Sequence, residues 1–163
     1  MHKKEYKEDL EITQTYNSNA IEGNTLSLAE TKAVLLHGVT IEGKPLKDHL
    51  EAINHVYAMR YIDKLAFDSN KELKEPDILE IHKLILTDIR PEDAGAYRKI
   101  NVRAGGSWRK FPKPEEVKEL MDNFIKDKNQ KRIQLKINYL KNGAGDRNRT
   151  YDPLITNAGI KIT

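Results

Sequence analysis

The stretch from Leu46 to Phe67 constrains this chain more than any other. Leu46, Leu50, Ile53, Tyr57, Tyr61 and Leu65 recur three or four residues apart, the repeat of a long helix with one apolar stripe. Gly43 and Pro45 mark a turn and a stop just before it. Its two histidines, His49 and His55, are six apart and so do not share a face. Near an apolar stripe they read as hydrogen-bonded residues at the edge of a core rather than as a ligand pair.

Punctuation around this helix places the others. Ser27-Leu28-Ala29-Glu30 is a capping box that opens a helix ended by Gly38. Pro76 opens the next, with Ile78, Ile81, Ile85 and Ile89 along one face, and the run Arg90 to Gly95 breaks it. Tyr97, Ile100, Val102, Gly105-Gly106, Trp108 and Phe111 then suggest a short β-hairpin within residues 95–112. Pro114-Glu115-Glu116 starts a further helix carrying Val117, Leu120, Met121, Phe124 and Ile125. From Lys128 the character changes. Lys131 to Lys141 alternates polar and apolar residues, like an amphipathic strand or an improvised helix, and beyond Asn142 the chain is polar and turn-rich. The expected fold class is mainly α, with one β-hairpin and an irregular C-terminal tail. Its parts are a helical region over 1–70, a second part over 71–128, and a divergent, disordered or non-native tail over 129–163.

Composition narrows the function classes. A chain of 163 residues with 38% hydrophobic and 33% charged residues suits one soluble, helix-rich domain. No apolar run approaches a membrane span, and no apolar segment follows the first residues, so a cytoplasmic protein is expected. The absence of cysteine excludes disulfides and thiolate metal sites. A net charge of +3 is too small to signal a nucleic-acid binder. Between Ala94 and Pro114, however, there is no acid, while Arg98, Lys99, Arg103, Arg109, Lys110 and Lys113 are present. Such a stretch attracts phosphates or acidic partners, or is a solvated basic hairpin.

The most specific pattern lies near the N-terminus. Residues 3–17, with Tyr6, Leu10, Ile12 and Tyr16, read as a helix that Gly23 stops. Glu22 then occupies the last turn, where the helix dipole mildly disfavours an acid. Either it is simply solvated, or a cation from elsewhere meets it. A Ser or Thr, three residues, then Glu-Gly, here Ser18, Glu22 and Gly23, resembles the inhibitory helix of the Fic (Fido) family. Three further blocks follow in that family's order: Gly43 to His55, Asp77 to Lys83, and Gly95 through Arg103 to Val117.

The resemblance implies an incomplete Fic-type helical domain related to protein adenylyltransferases, which move AMP from ATP to Ser, Thr or Tyr hydroxyls of a target protein (AMPylation). In the family a histidine of the signature HPFxDGNGRxxR is the general base, its acid holds Mg²⁺, and its glycines and a helix N-terminus cradle phosphates. Glu22 would pair with the signature's last arginine and block productive placement of ATP. The hairpin would be the flap, with Ile100, Val102 and Arg103 docking the target by strand-like pairing.

That signature is not found. The histidines are His2, His37, His49, His55 and His82, none followed by proline. The run Asn142 to Thr150 has the composition of a phosphate loop without its spacing. No catalytic residue and no metal ligand is therefore assigned, and ATP and Mg²⁺ are expected of the family rather than of these residues. The expectation is an auto-inhibited Fic protein truncated or frame-shifted near residue 128, inactive alone, with helix stripes left poorly buried. One alternative is a non-catalytic, antitoxin-like module acting on a complete Fic protein, or on a second copy. Another, ranked last, is an RNA binder using Arg98, Lys99, Arg103 and Lys110 with Tyr97, Trp108 and Phe111.

Overall fold

The computed structural model describes residues 3–67, 71–103 and 110–142. Five helices are found among them: α1 (Lys3–Ile21), α2 (Leu28–His37), α3 (Leu46–Phe67), α4 (Glu75–Leu86) and α5 (Pro114–Asn142). The capping box forms as the sequence predicts. The Ser27 side chain accepts from the Glu30 amide, the Glu30 carboxylate accepts from the Ser27 amide at 2.7 Å, and Gly38 closes α2 at φ 63°. The bond from Ser27 holds the Glu30 carboxyl below its usual range. Pro76 falls in the first turn of α4, where its missing N–H costs nothing. That helix stops at Leu86, so Ile89 lies past its end. The chain turns there through Asp88 at φ 60°, with the Ile89 and Arg90 amides both donating to the Leu86 carbonyl.

The chain divides into two units. The first covers 1–62 and 76–98, and the second 63–75 and 99–163. In the first, Leu26, Val34 and Ala52 form a buried cluster flanked by Leu35, Ile41 and Ile53. Ile12, Val56, Ala58, Ile81 and Leu86 are buried as well. The stripe expected on α3 is only partly its buried face, with Leu50, Ile53, Tyr61 and Leu65 half-buried. Leu46 and Tyr57 are exposed, while Asp48, His49, Ala52, Asn54, Val56 and Ala58 are buried. Small residues at 52 and 58 let neighbouring backbone come close, and bulky side chains stay at the margin. Polar groups fill the remaining buried positions because each finds a partner. His49 Nε2 accepts from the Ile41 amide at 2.8 Å, so its Nδ1–H donates to the Pro45 carbonyl at 2.9 Å. Asn54 donates from Nδ2 to the Ile85 and Thr87 carbonyls at 3.2 and 2.6 Å. Helix α1 meets α3 through a bidentate Glu11–Arg60 pair, both bonds 2.9 Å, and through Thr15 Oγ1 with His55 Nδ1 at 3.0 Å.

In the second unit α5 departs from the sequence expectation. Residues 129–142 continue the helix rather than leaving it as an irregular tail. Lys, Arg, Gln, Leu and Ile are adequate helix formers, and Asp127 pairs with Lys131 one turn on at 2.9 Å. Asn129 clasps the Leu73 backbone in both directions, donating to its carbonyl at 2.9 Å and accepting from its amide at 3.0 Å. Arg132 donates to the Lys71 carbonyl, and Lys118 pairs with Glu75 at 3.1 Å. Residues 143–163 lie outside the described residues, as does the middle of the expected hairpin, 104–109. Among the described residues there is no strand, and 95–103 form turns and bends instead. Two strands without a third, or without a helix to pack on, are marginal in water.

Candidate functional site

The end of α1 is built as a Schellman turn. Gly23 takes φ 89°, its amide donates to the Ala20 carbonyl at 3.1 Å, and the Asn24 amide donates back to the Asn19 carbonyl at 3.0 Å. This pair of reverse bonds closes a helix on a left-handed residue, and Gly fills that position at least cost. Glu22 is consequently the last residue before the reversal. Its side chain is exposed and makes no ion pair among the described residues. Ser18, one turn earlier, is also exposed.

Beyond the turn the chain is fastened to the start of α3. Asp48, only 6% exposed, accepts at Oδ2 from both the Thr25 amide and the Thr25 hydroxyl, at 2.8 and 2.5 Å. Asn24 donates from Nδ2 to the Asp48 carbonyl at 3.0 Å and to the Glu51 carboxylate at 2.9 Å, and accepts from the Leu26 amide at 3.0 Å. Lys44 adds a bond to the Thr25 carbonyl at 2.5 Å. Burial alone would push the Asp48 carboxyl up. The two Thr25 bonds, with Lys47 and His49 nearby, hold it below its usual value instead. Asp48 is therefore a buried carboxylate kept ionised by donors aimed at it. Asn24, Thr25, Asp48 and Glu51 escaped the sequence reading because polar residues beside a Gly and a capping box look like ordinary turn chemistry.

The expected docking residues Ile100, Val102 and Arg103 belong to the second unit. All three are exposed, Ile100 at 72%. In the same unit a surface cavity of about 400 Å³ is lined by Phe111, Pro112 and Leu120 with Lys110, Glu116 and Glu119. Its wall sets two carboxylates against one lysine, a charge balance that gives a triphosphate little attraction. Three His, Cys, Asp or Glu side chains do not come together as a cation cluster among the described residues. His82 lies half-buried on α4, its pKa lowered by burial and by Arg90 against a smaller opposite pull from Asp93. No helix among the described residues is long and apolar enough to cross a membrane.

A family model described as "Fic/DOC family" matches residues 72–141, a stretch that starts before α4 and ends with α5. Over that stretch the chain is similar to the Fic/DOC family. The match runs past residue 128, where the sequence changes character, and it agrees with the continuous α5. Among curated relatives, "Protein adenylyltransferase Fic" of Aedes aegypti is 35% identical over 113 residues, covering 69% of this chain and 22% of that protein. "Protein adenylyltransferase fic-1" of Caenorhabditis elegans is 36% identical over 110 residues, 66% of this chain and 22% of the relative. The chain thus spans about a fifth of the length of these relatives. Among solved structures, a Fic domain containing signaling protein from Bacteroides thetaiotaomicron aligns with TM-score 0.69 and 30% identity, over 76% of this chain and 47% of that one. Fic-1 (residues 134–508) of C. elegans aligns with TM-score 0.66 and 30% identity, over 79% and 38%. The mainly helical fold of this chain matches that of the Fic structures.

Proposed function

We propose that the chain is the regulatory and target-docking part of a Fic-type protein adenylyltransferase, with Glu22 as its inhibitory carboxylate. The observation that supports this most directly is the rigid turn at the end of α1. It presents an exposed acid, free of any ion pair among the described residues, at the position the Fic resemblance marks. A carboxylate held on fixed backbone meets an incoming guanidinium with little ordering cost, and Arg is the cation whose fork fits it. Pairing with the arginine that serves ATP would turn the nucleotide's phosphates away from the reacting geometry.

Residues 95–112 are the docking flap in this reading. Exposed Ile100 and Val102 offer apolar contacts, and their backbone, not part of any strand, would pair with an extended target segment on docking. Arg98, Lys99, Arg103, Lys110 and Lys113 favour an acidic or phosphate-bearing partner. ATP and Mg²⁺ would be held by the HPFxDGNGR segment, and no such segment occurs within these 163 residues. No histidine follows His82, so no general base stands beyond the flap, and the 163 residues alone transfer no AMP. The exposed, unpaired Glu22 equally allows the chain to act in trans on a complete Fic protein.

The test is transfer of labelled AMP from ATP. The chain alone should give none, and joined to a segment bearing the signature it should give a low rate that Glu22→Gly raises at least about tenfold. A rate unchanged by Glu22→Gly would remove the inhibitory role. Robust labelling by the unjoined chain would remove the assignment of the base to a segment outside it.

A further inference from the structure

Why Glu22 stands where it does is settled by residues outside its own motif. The helix α1 ends on it through the Schellman bonds, which fix the reversal but not its direction relative to the rest of the first unit. Direction comes from the next two residues, Asn24 and Thr25, which begin the four-residue link between that reversal and α2. Both are fastened to one turn of α3. Thr25 gives its amide and its hydroxyl to the same Asp48 oxygen, and Asn24 gives its amide hydrogens to the Asp48 carbonyl and to Glu51.

Asp48 is buried with its charge retained, a combination that is costly unless every bond to it is made. Among the described residues no lysine or arginine bonds it directly. Its side-chain hydrogen bonds come from Thr25 in the short polar loop, with Lys47 and His49 adding favourable charge nearby, so the loop is tied to the carboxylate and the carboxylate to the loop. The tie also explains why Asp48 is an acid where α3 would otherwise carry an apolar residue.

We infer that Asp48 is the positioning residue for Glu22: through Thr25 and Asn24 it sets where α1 terminates and so where the inhibitory carboxylate is presented. The inference rests on the inhibitory reading of Glu22 for its functional meaning, while the positioning itself is a property of this chain and is measured without any reaction. Thr25 is the second half of the device, and its hydroxyl donates one of the two bonds on the shared oxygen. Glu51 supports Asn24 from the next turn of α3 and is itself paired with Lys47 at 3.2 Å.

The experiment is amide hydrogen exchange on the whole 163-residue chain, wild type against Asp48→Ala, Asp48→Asn and Thr25→Val. Losing an acceptor of charge-assisted bonds should speed exchange at Gly23 and Asn24 by about tenfold or more. Amides in the middle of α1, at Thr15 and Tyr16, should hold their wild-type rates. Asp48→Asn keeps an oxygen of the same reach for the Thr25 amide, so it should stay within a few-fold of wild type. A residue that merely supports the fold would give no such rescue and no such local pattern. Should Asp48→Ala fail to fold, Thr25→Val carries the same expectation, since it removes one bond and leaves the buried charge with the other. Unchanged exchange at Gly23 and Asn24 in either variant overturns the positioning role, as does a rise shared equally by the middle of α1. Because this readout involves no AMP transfer, its failure is separate from a failure of Glu22→Gly to raise the rate.

Discussion

Single residues inside the first unit carry more of its stability than the apolar pattern suggests. Asn54 sits buried on α3 and donates to two carbonyls at the end of α4. Replacing it with Ala leaves those carbonyls short of donors and should cost about 1–3 kcal/mol in a urea titration. A loss under about 0.5 kcal/mol would mean that water replaces the amide. His55 shows a different kind of dependence. Its pKa is lowered by burial, against a smaller opposing pull from Glu11. The unfolded chain therefore takes up the proton near 6.5 while the folded chain resists it until lower pH. Stability from this residue is full above 6.5 and is lost as the pH falls through the window below it. Melting temperatures at pH 7.5 and pH 5 should differ more in wild type than in His55→Gln. Equal differences in the two would show that His82, shifted in the same direction, supplies the effect instead.

At the scale of elements, caps were the legible part. Ser27 with Glu30 and Gly38 fixed α2, and Gly43-Lys44-Pro45 before an apolar repeat fixed the bounds of α3. What stayed hidden were burial and the reach of α5. A pattern of large apolar residues cannot reveal that Ala52 and Ala58 are where α3 packs, nor that Asp48 and Asn54 are buried with partners far along the chain. Alternation over 131–141 left strand and helix both open, and the Asn129 clasp on Leu73 joins residues 56 apart, which no local pattern displays. The candidate site divides the same way. The stop of α1 at Gly23 was readable, whereas the Thr25–Asp48 tie just beyond it was not. Gly23 itself makes an element-scale test. A Cβ built there meets no atom within 4 Å, so the cost of Gly23→Ala is backbone strain at φ 89° alone. That strain is about 1–2 kcal/mol. A thermal melt identical to wild type would show that the turn tolerates another conformation.

Across the whole molecule, burial is unevenly distributed, and this governs how it should come apart. Every buried apolar side chain among the described residues lies in the first unit: Ile12, Leu26, Val34, Ala52, Val56, Ala58, Ile81 and Leu86. In the second unit, Leu120, Phe124, Ile133 and Leu135 of α5 are exposed, and so are Phe67, Ile100 and Phe111. Its polar ties include the Asn129 clasp, the Arg132 bond and the Lys118–Glu75 pair, of which the last is exposed on the lysine side and contributes little. Apolar burial supplies most of the favourable free energy of folding, at roughly 25 cal/mol per Å², so a unit whose apolar side chains are at most half-buried opens at lower cost than its neighbour. Limited proteolysis should therefore cut first within 110–142 and leave a resistant fragment containing α1 to α4. Amides of α5 should exchange before those of α3 at the same pH. Asn129→Ala, which severs both bonds to Leu73, should bring the α5 cuts several-fold earlier while leaving the fragment's lifetime unchanged. Simultaneous loss of α3 and α5 protection, with no fragment surviving the first cuts, would show instead that the two units unfold as one.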